Sequence, residues 1–161
     1  MAETRWLDYH EQETWRSFMA AARLLDAALD RQLQREADMP HAYYAILAML
    51  SEAPDHTLTM TELACVTHSS PSRLSHAVRR LEDKGWVARR PHPTDGRTTL
   101  AVLTDAGFAA LTAAAPGHVA EVRRILFDRL TPDQIRQLNE ISRTILAALG
   151  KGPLGEAADG E

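Results

Sequence analysis

The sequence predicts a mainly α-helical protein with a small β-hairpin wing: a winged helix-turn-helix set between amphipathic helices at both ends. Three observations predict it. Leu74, Ala77, Val78 and Leu81 recur at i, i+3, i+4 and i+7, one buried stripe on a short helix. Just beyond it, two β-like runs flank Pro91-His92-Pro93-Thr94-Asp95-Gly96-Arg97, whose prolines and Asp-Gly pair are turn chemistry. Long segments of helical apolar period lie on either side of this module.

Composition sets the outer limits. A chain of 161 residues with 45% hydrophobic and 25% charged residues is an ordinary globular protein, one domain or a compact two-part unit. No apolar run approaches the roughly 20 residues needed to span a bilayer. The start, MAETRWLDYHEQETW, is acidic and lacks an apolar core, so no signal peptide and a cytoplasmic location are expected. The single cysteine, Cys65, excludes an internal disulfide and a zinc site built mainly from cysteines. The net charge of −4 is unevenly spread: from His68 to Thr98, seven basic residues oppose three acidic ones, +4, which leaves −8 for the rest. A local basic face on an acidic body suits phosphate binding.

In chain order, Trp6 to about Ala37 reads as one long helix. Trp15, Phe18, Ala22, Leu25, Leu29 and Leu33 form its stripe, and no Gly or Pro interrupts it. It is longer than a small core covers, so part of the stripe is expected to meet another subunit. Asp38-Met39-Pro40 ends it, because the residue before a proline is pushed out of the helical region. His41 to Ser51 is a short amphipathic helix carrying Tyr43, Ile46, Leu47 and Leu50; a turn follows, and Leu58 is placed in a very short strand. Thr59 and Glu62 fit a capping box for a helix from Met60 to Thr67. Ser70 as N-cap and Pro71 at the first position open the second helix of the module, and Gly85 stops it. On its open surface stand Ser72, Arg73, Ser75, His76, Arg79 and Arg80, hydrogen-bonding groups for base edges and phosphates in a major groove.

Trp86–Arg90 and Thr98–Thr104 read as antiparallel strands. A helix capped by Thr104 or Asp105 follows, with Phe108 and Leu111 on its inner side and a kink or break at Pro116-Gly117. Val119, Val122, Ile125, Leu126 and Leu130 resume the pattern. Thr131 and Gln134 make another capping box before the stripe Ile135, Leu138, Ile141, Ile145 and Leu149. Residues 150–161 are Gly-rich, acidic and poor in apolar side chains, and are expected to be a disordered tail. The predicted organisation is a helical dimerisation region from 6–37 and 105–149, with a winged DNA-binding unit over 41–104.

Several of these residues together resemble the MarR family of bacterial transcription regulators, over about Trp15 to Leu149. They are TELA at 61–64; Ser70, Arg73 and Leu74; LEDKGWVARR at 81–90; Asp95-Gly96-Arg97; and LTDAG at 103–107. The resemblance implies a homodimer built by the terminal helices, with two winged units on an inverted-repeat operator in double-stranded DNA. It implies that Ser70, Ser72, Arg73, Ser75, His76 and Arg79 lie in or beside the major groove. Arg97 would reach the adjacent minor groove, with Asp95 positioning it. His68 departs from the family pattern, which often has glycine at that turn position, and Thr67 stands where an aliphatic residue is common.

Each signal has a plainer reading. The arginines could form a solvated basic face; the module around them favours DNA contact for Arg73 and Arg97. Arg80 and Arg90 are also placed among the DNA-binding residues, although for them, as for Arg89, ion pairs on a strand or helix face would look the same. Cys65 is expected to be a structural thiol, since no second cysteine is present to resolve an oxidised form. The seven histidines are scattered and form no His/Cys pair at ligand spacing, so no metal and no cofactor are predicted, although ligands brought together by folding stay open. No nucleophile–base arrangement, glycine-rich phosphate loop or paired-carboxylate motif points to an enzyme. Family members often bind small aromatic or phenolic anions between the dimerisation helices and the winged unit; Trp15, Arg23, His41, Tyr43 and Tyr44 are the residues of this chain placed to line such a crevice. Core packing is the competing role for Trp15 and Tyr43. The expected function is a ligand-released repressor; the alternative is a winged-helix adaptor that dimerises and binds a protein.

Overall fold

A computed structural model describes residues 4–152. Its order is α1 (Tyr9–Ala37), α2 (His41–Glu52), β1 (Thr57–Thr59), α3 (Met60–Val66), α4 (Pro71–Asp83), β2 (Val87–Pro91), β3 (Thr99–Leu103), α5 (Asp105–Ile125) and α6 (Pro132–Ala148). Short 3-10 turns stand at Pro54–His56 and Phe127–Arg129. The three strands form one antiparallel sheet in the order β1-β3-β2, so the short strand at Leu58 extends the expected hairpin to three strands. Pro91 closes an edge strand, where a missing donor costs no ladder bond. Most of the predicted tail, residues 153–161, lies outside the described residues.

Local chemistry sets the boundaries. The first helix begins at Tyr9 and not at Trp6, because Asp8 forms a capping box: its carboxylate accepts from the Glu11 amide at 2.8 Å while Glu11 accepts from the Asp8 amide at 2.8 Å. The Thr59–Glu62 and Thr131–Gln134 boxes form as expected. Gly85, at φ +71, closes α4: its amide donates to the Glu82 carbonyl at 2.8 Å and the Trp86 amide to the Leu81 carbonyl at 2.9 Å. His68 takes φ +49, the left-handed conformation that suits glycine, so the turn keeps its geometry without the glycine.

One apolar cluster joins Leu33, Met39, Leu47 and Leu50 to Leu63, Leu74, Val78 and Leu81, and to Val87, Ala101 and Leu111. The end of α1, all of α2 and the first half of α5 thus share a core with the winged unit. Two expectations about α5 are corrected. Phe108 is 46% exposed, not inner; its ring lies against His56 at a centroid distance of 5.5 Å. Pro116-Gly117 does not break the helix, which runs unbroken to Ile125. The reason is packing. This stretch of α5 lies on α1: a side chain at Gly117 would stand 2.6 Å from Glu36 Oε2 and 3.0 Å from Gln32 Nε2, the movable ends of two side chains of α1. Contact along that seam outweighs the one backbone bond proline removes.

Candidate nucleic-acid interface

Residues of α4 alternate between anchor and reader. Leu74, Val78 and Leu81 are buried, and at about 100° per residue they point Ser72, His76 and Arg79 away from the core, with Arg73 and Arg80 on one flank. Ser72, Arg73, Ser75, His76, Arg79 and Arg80 are all exposed. Ser70 is the N-cap, its hydroxyl accepting from the Arg73 amide at 3.4 Å.

The cations divide into two groups. Arg89 is held by Glu82: backbone N–H and Nε donate at 3.1 and 2.6 Å, and Nη2 lies 2.6 Å from Oε2. This pair fastens β2 to the end of α4. Arg80 reaches Asp83 only at 4.0 Å. Lys84 donates to the carbonyl and the carboxylate of Asp38, both at 3.3 Å, and lies 4.8 Å from the Trp86 ring centre, tying α4 to the end of α1. By contrast, Arg73, Arg79, Arg90 and Arg97 have no ion pair and no side-chain hydrogen bond among the described residues. On the flanking helices Arg35, Arg123, Arg124 and Arg136 each sit 2.7–2.9 Å from a carboxylate, while Arg16, Arg23, Arg31 and Arg143 have no ion pair among the described residues.

The wing is built by Asp95. Its carboxylate accepts from the Arg97 amide at 3.0 Å and the Thr98 hydroxyl at 2.6 Å, and these bonds, Thr98 first, hold its pKa below the usual carboxylate value. The His92 amide donates to the Thr98 carbonyl at 2.9 Å, closing the hairpin. Asp95 therefore orders the turn through backbone and hydroxyl while the Arg97 guanidinium stays exposed. The start of α5 is fastened to the same unit: Thr104 donates its hydroxyl to the Gly85 carbonyl at 2.7 Å and accepts from the Gly107 amide at 3.0 Å. Gly107 packs directly on the Trp86 carbonyl, where any side chain would collide.

The five residues proposed for an effector do not converge within one protomer. His41 and Tyr44 do meet, with His118 of α5 between them: the ring centres are 5.4 Å from His41 and 4.2 Å from Tyr44. His41 Nδ1 lies 2.9 Å from Asp26 of α1, and its amide donates to Asp30 at 2.9 Å. Burial, and secondarily the neighbouring His41, lowers the pKa of His118, while burial raises that of Tyr44. Tyr44 also lines an open groove of about 580 Å³ between α2 and α5, with Ala48, Phe108, Leu111 and Val119. Tyr43 packs on the core. Trp15 is 54% exposed and stands 11 residues, about 16 Å, up the helix from Asp26; neither it nor Arg23 lines the groove. Residue spacing had no means of finding His118, since 77 positions separate it from His41. Among the described residues, no group of three or more His, Cys, Asp or Glu could hold a metal ion, and no helix is long and apolar enough to cross a membrane.

A three-stranded wing, a capped helix with an outward polar face, and flanking helices define the winged helix-turn-helix class. Comparison with known proteins narrows it. Residues 37–98 match the model of the MarR family. Sco3205 from Streptomyces coelicolor, a MarR family transcriptional regulator whose structure was solved in complex with DNA, is 54% identical, with 89% of each chain covered and a TM-score of 0.87. AbsC, a MarR family regulator from the same organism, is 38% identical over 91% of this chain and 98% of its own, with a TM-score of 0.86. The repressor YetL of Bacillus subtilis is 32% identical over 83 residues, 52% of this chain and 50% of YetL. The chain spans 50–60% of the length of YetL and the next curated relatives it matches. The chain belongs to the MarR family of transcriptional regulators.

Proposed function

We propose that the protein is a homodimeric, sequence-specific DNA-binding regulator, a repressor whose hold on its operator is relieved by a small molecule. The observation that carries the reading is the gathering of four exposed cations without carboxylate partners, Arg73, Arg79, Arg90 and Arg97, on α4 and the wing. Guanidinium groups left without carboxylate partners are available to phosphates and base edges. The DNA complex of Sco3205, at 54% identity, supports the same use of the module here. In this reading α4 enters the major groove, and Arg97 enters the minor groove, whose narrow negative stretches attract a guanidinium.

The second copy is argued from bare apolar surface. Helix α6 has no buried residue, and Ile141, Ile145 and Leu149 on it are exposed. On α1 only Leu29, Gln32 and Leu33 are buried, while Phe18, Met19 and Leu24 are open. A groove of about 560 Å³ runs between these helices, lined by Phe18, Leu25, Ile125 and Leu138. Closing these faces on a partner sets two copies of α4 facing one duplex, about 34 Å apart if both meet successive major grooves. The α2–α5 groove is the place for a small effector with an aromatic part, with the hydroxyls of Tyr44, Ser51 and Thr112 in its lining as polar contacts.

The test is a mobility-shift titration on the DNA upstream of the protein's own gene. A salt-sensitive, sequence-selective shift that Arg73→Ala weakens and makes less selective is expected, and a protein that ignores this DNA at low salt would refute the reading. A ligand screen by melting temperature checks the effector, since a molecule bound only to the native state raises it.

A further inference from the structure

We propose that α4 reads guanine, and that Arg79 and Arg73 are the residues that specify it. The proposal rests on the DNA-binding reading above and names the base chemistry of the operator. Four bases present different edges in a major groove. Guanine offers two acceptors, N7 and O6. Adenine pairs an acceptor with a donor and is matched by the amide of Asn or Gln. Cytosine offers a donor and is matched by Asp or Glu.

From Ser70 to Leu81 the helix reads SPSRLSHAVRRL and contains no Asn, Gln, Asp or Glu. The helix therefore has no amide for adenine, and its two carboxylates, Glu82 and Asp83, stand in the last turn, Glu82 bound by Arg89 and Asp83 beside Arg80. What it offers are the two guanidinium forks of Arg73 and Arg79, the hydroxyls of Ser72 and Ser75, which suit any base, and the His76 ring. Arg79 points straight out beside Ser72 and His76, and Arg73 sits on the flank near the N-terminus of the helix, the end that approaches base edges. Neither guanidinium is held by an acceptor of its own chain among the described residues. Arg80, beside Asp83, and Arg89, pinned by Glu82, have carboxylates within reach and are the weaker readers. A planar fork of donors is complementary to guanine N7 and O6 in a bidentate pair. Arg73 and Arg79 are six residues apart, about 9 Å along the axis. At about 3.4 Å per base step, that spacing covers two or three steps. Each half-site is accordingly expected to hold two G·C pairs, two or three steps apart.

The experiment is selection of duplexes from a randomised library by the full-length protein, followed by affinity measurements on the selected site. The expected result is two guanines per half-site at that spacing, with Arg79→Ala relaxing one position and Arg73→Ala the other. Replacing either guanine by 7-deazaguanine, which lacks N7 but keeps O6, should weaken the native protein by part of the roughly 5- to 150-fold that a complete bidentate pair is worth. The same replacement should leave the matching alanine variant nearly unchanged. Selected half-sites without guanine, or variants that weaken every sequence equally, would overturn the assignment while leaving DNA binding intact. A library from which nothing is selected would remove the DNA-binding reading and this proposal with it.

Discussion

The winged unit and the flanking helices are built on opposite economies of burial. Leu47, Leu50, Leu63, Leu74, Val78, Leu81 and Ala101 are 0–1% exposed, so this part of the molecule closes its core within one chain. In α6 no residue is buried, and α1 is bare along its first twenty residues apart from the half-buried Leu25, Ala27 and Ala28. The difference assigns the two regions different dependence on a second copy. A unit that hides its apolar side chains within one chain presents its polar face to a ligand; helices that leave Phe18, Leu24, Ile141 and Ile145 in water are, on the proposed reading, half of an interface.

Core and interface substitutions should separate the regions most strongly. Leu74→Ala removes a fully enclosed side chain and is expected to cost about 2–5 kcal/mol in denaturant unfolding. Joint substitution Leu24→Glu and Ile145→Glu should leave the winged unit folded by circular dichroism yet convert the dimer to monomer by light scattering. Operator affinity should then fall by roughly 10²–10⁴, the loss of a linked second module. If the double variant stays dimeric, the bare faces are not the interface. Gly107→Ala, which forces a methyl against the Trp86 carbonyl, should cost about 1–3 kcal/mol, with the joint between the wing and α5 yielding first. Arg97→Ala should weaken all sequences alike and flatten the salt dependence by about one unit of slope.

The smallest effect is on pH. The unfolded chain binds a proton at His118 near the ordinary histidine value of 6.5, while the folded chain resists until lower pH. The unfolded state thus holds more protons in that window, and stability, complete above 6.5, declines as pH falls below it. Melting temperature should drop between pH about 7.5 and about 5.5, and by less in His118→Gln. An equal drop in that variant would assign the effect elsewhere, since Asp26, Asp30, His41 and Tyr44 surround the same joint.

The sequence showed the winged unit more fully than the joints that position it, and for a physical reason. Caps, turns and periodicity are local, so Thr59–Glu62, Ser70-Pro71, Gly85 and the Asp95 turn were legible from spacing alone. The contacts that join elements are not. His118 between His41 and Tyr44, Lys84 on Asp38, and Glu82 holding Arg89 depend on which helix faces meet. Pro116-Gly117 misled because its local chemistry says break, whereas the side chains of Gln32 and Glu36 on α1 lie against Gly117 in a continuous helix. Phe108 misled in the opposite sense: its period placed it inward, but it lies at the edge of the α2–α5 groove.

The central claim is that two chains, joined through α1 and α6, present two copies of α4 to one duplex. Sedimentation of the protein with a duplex from its own upstream region, at low and raised salt, tests it most directly. The account predicts two chains per duplex at low salt, a complex that dissociates steeply as salt rises, and none with Arg73→Ala combined with Arg79→Ala. A single chain per duplex, or a complex of undiminished strength with both arginines removed, would contradict it.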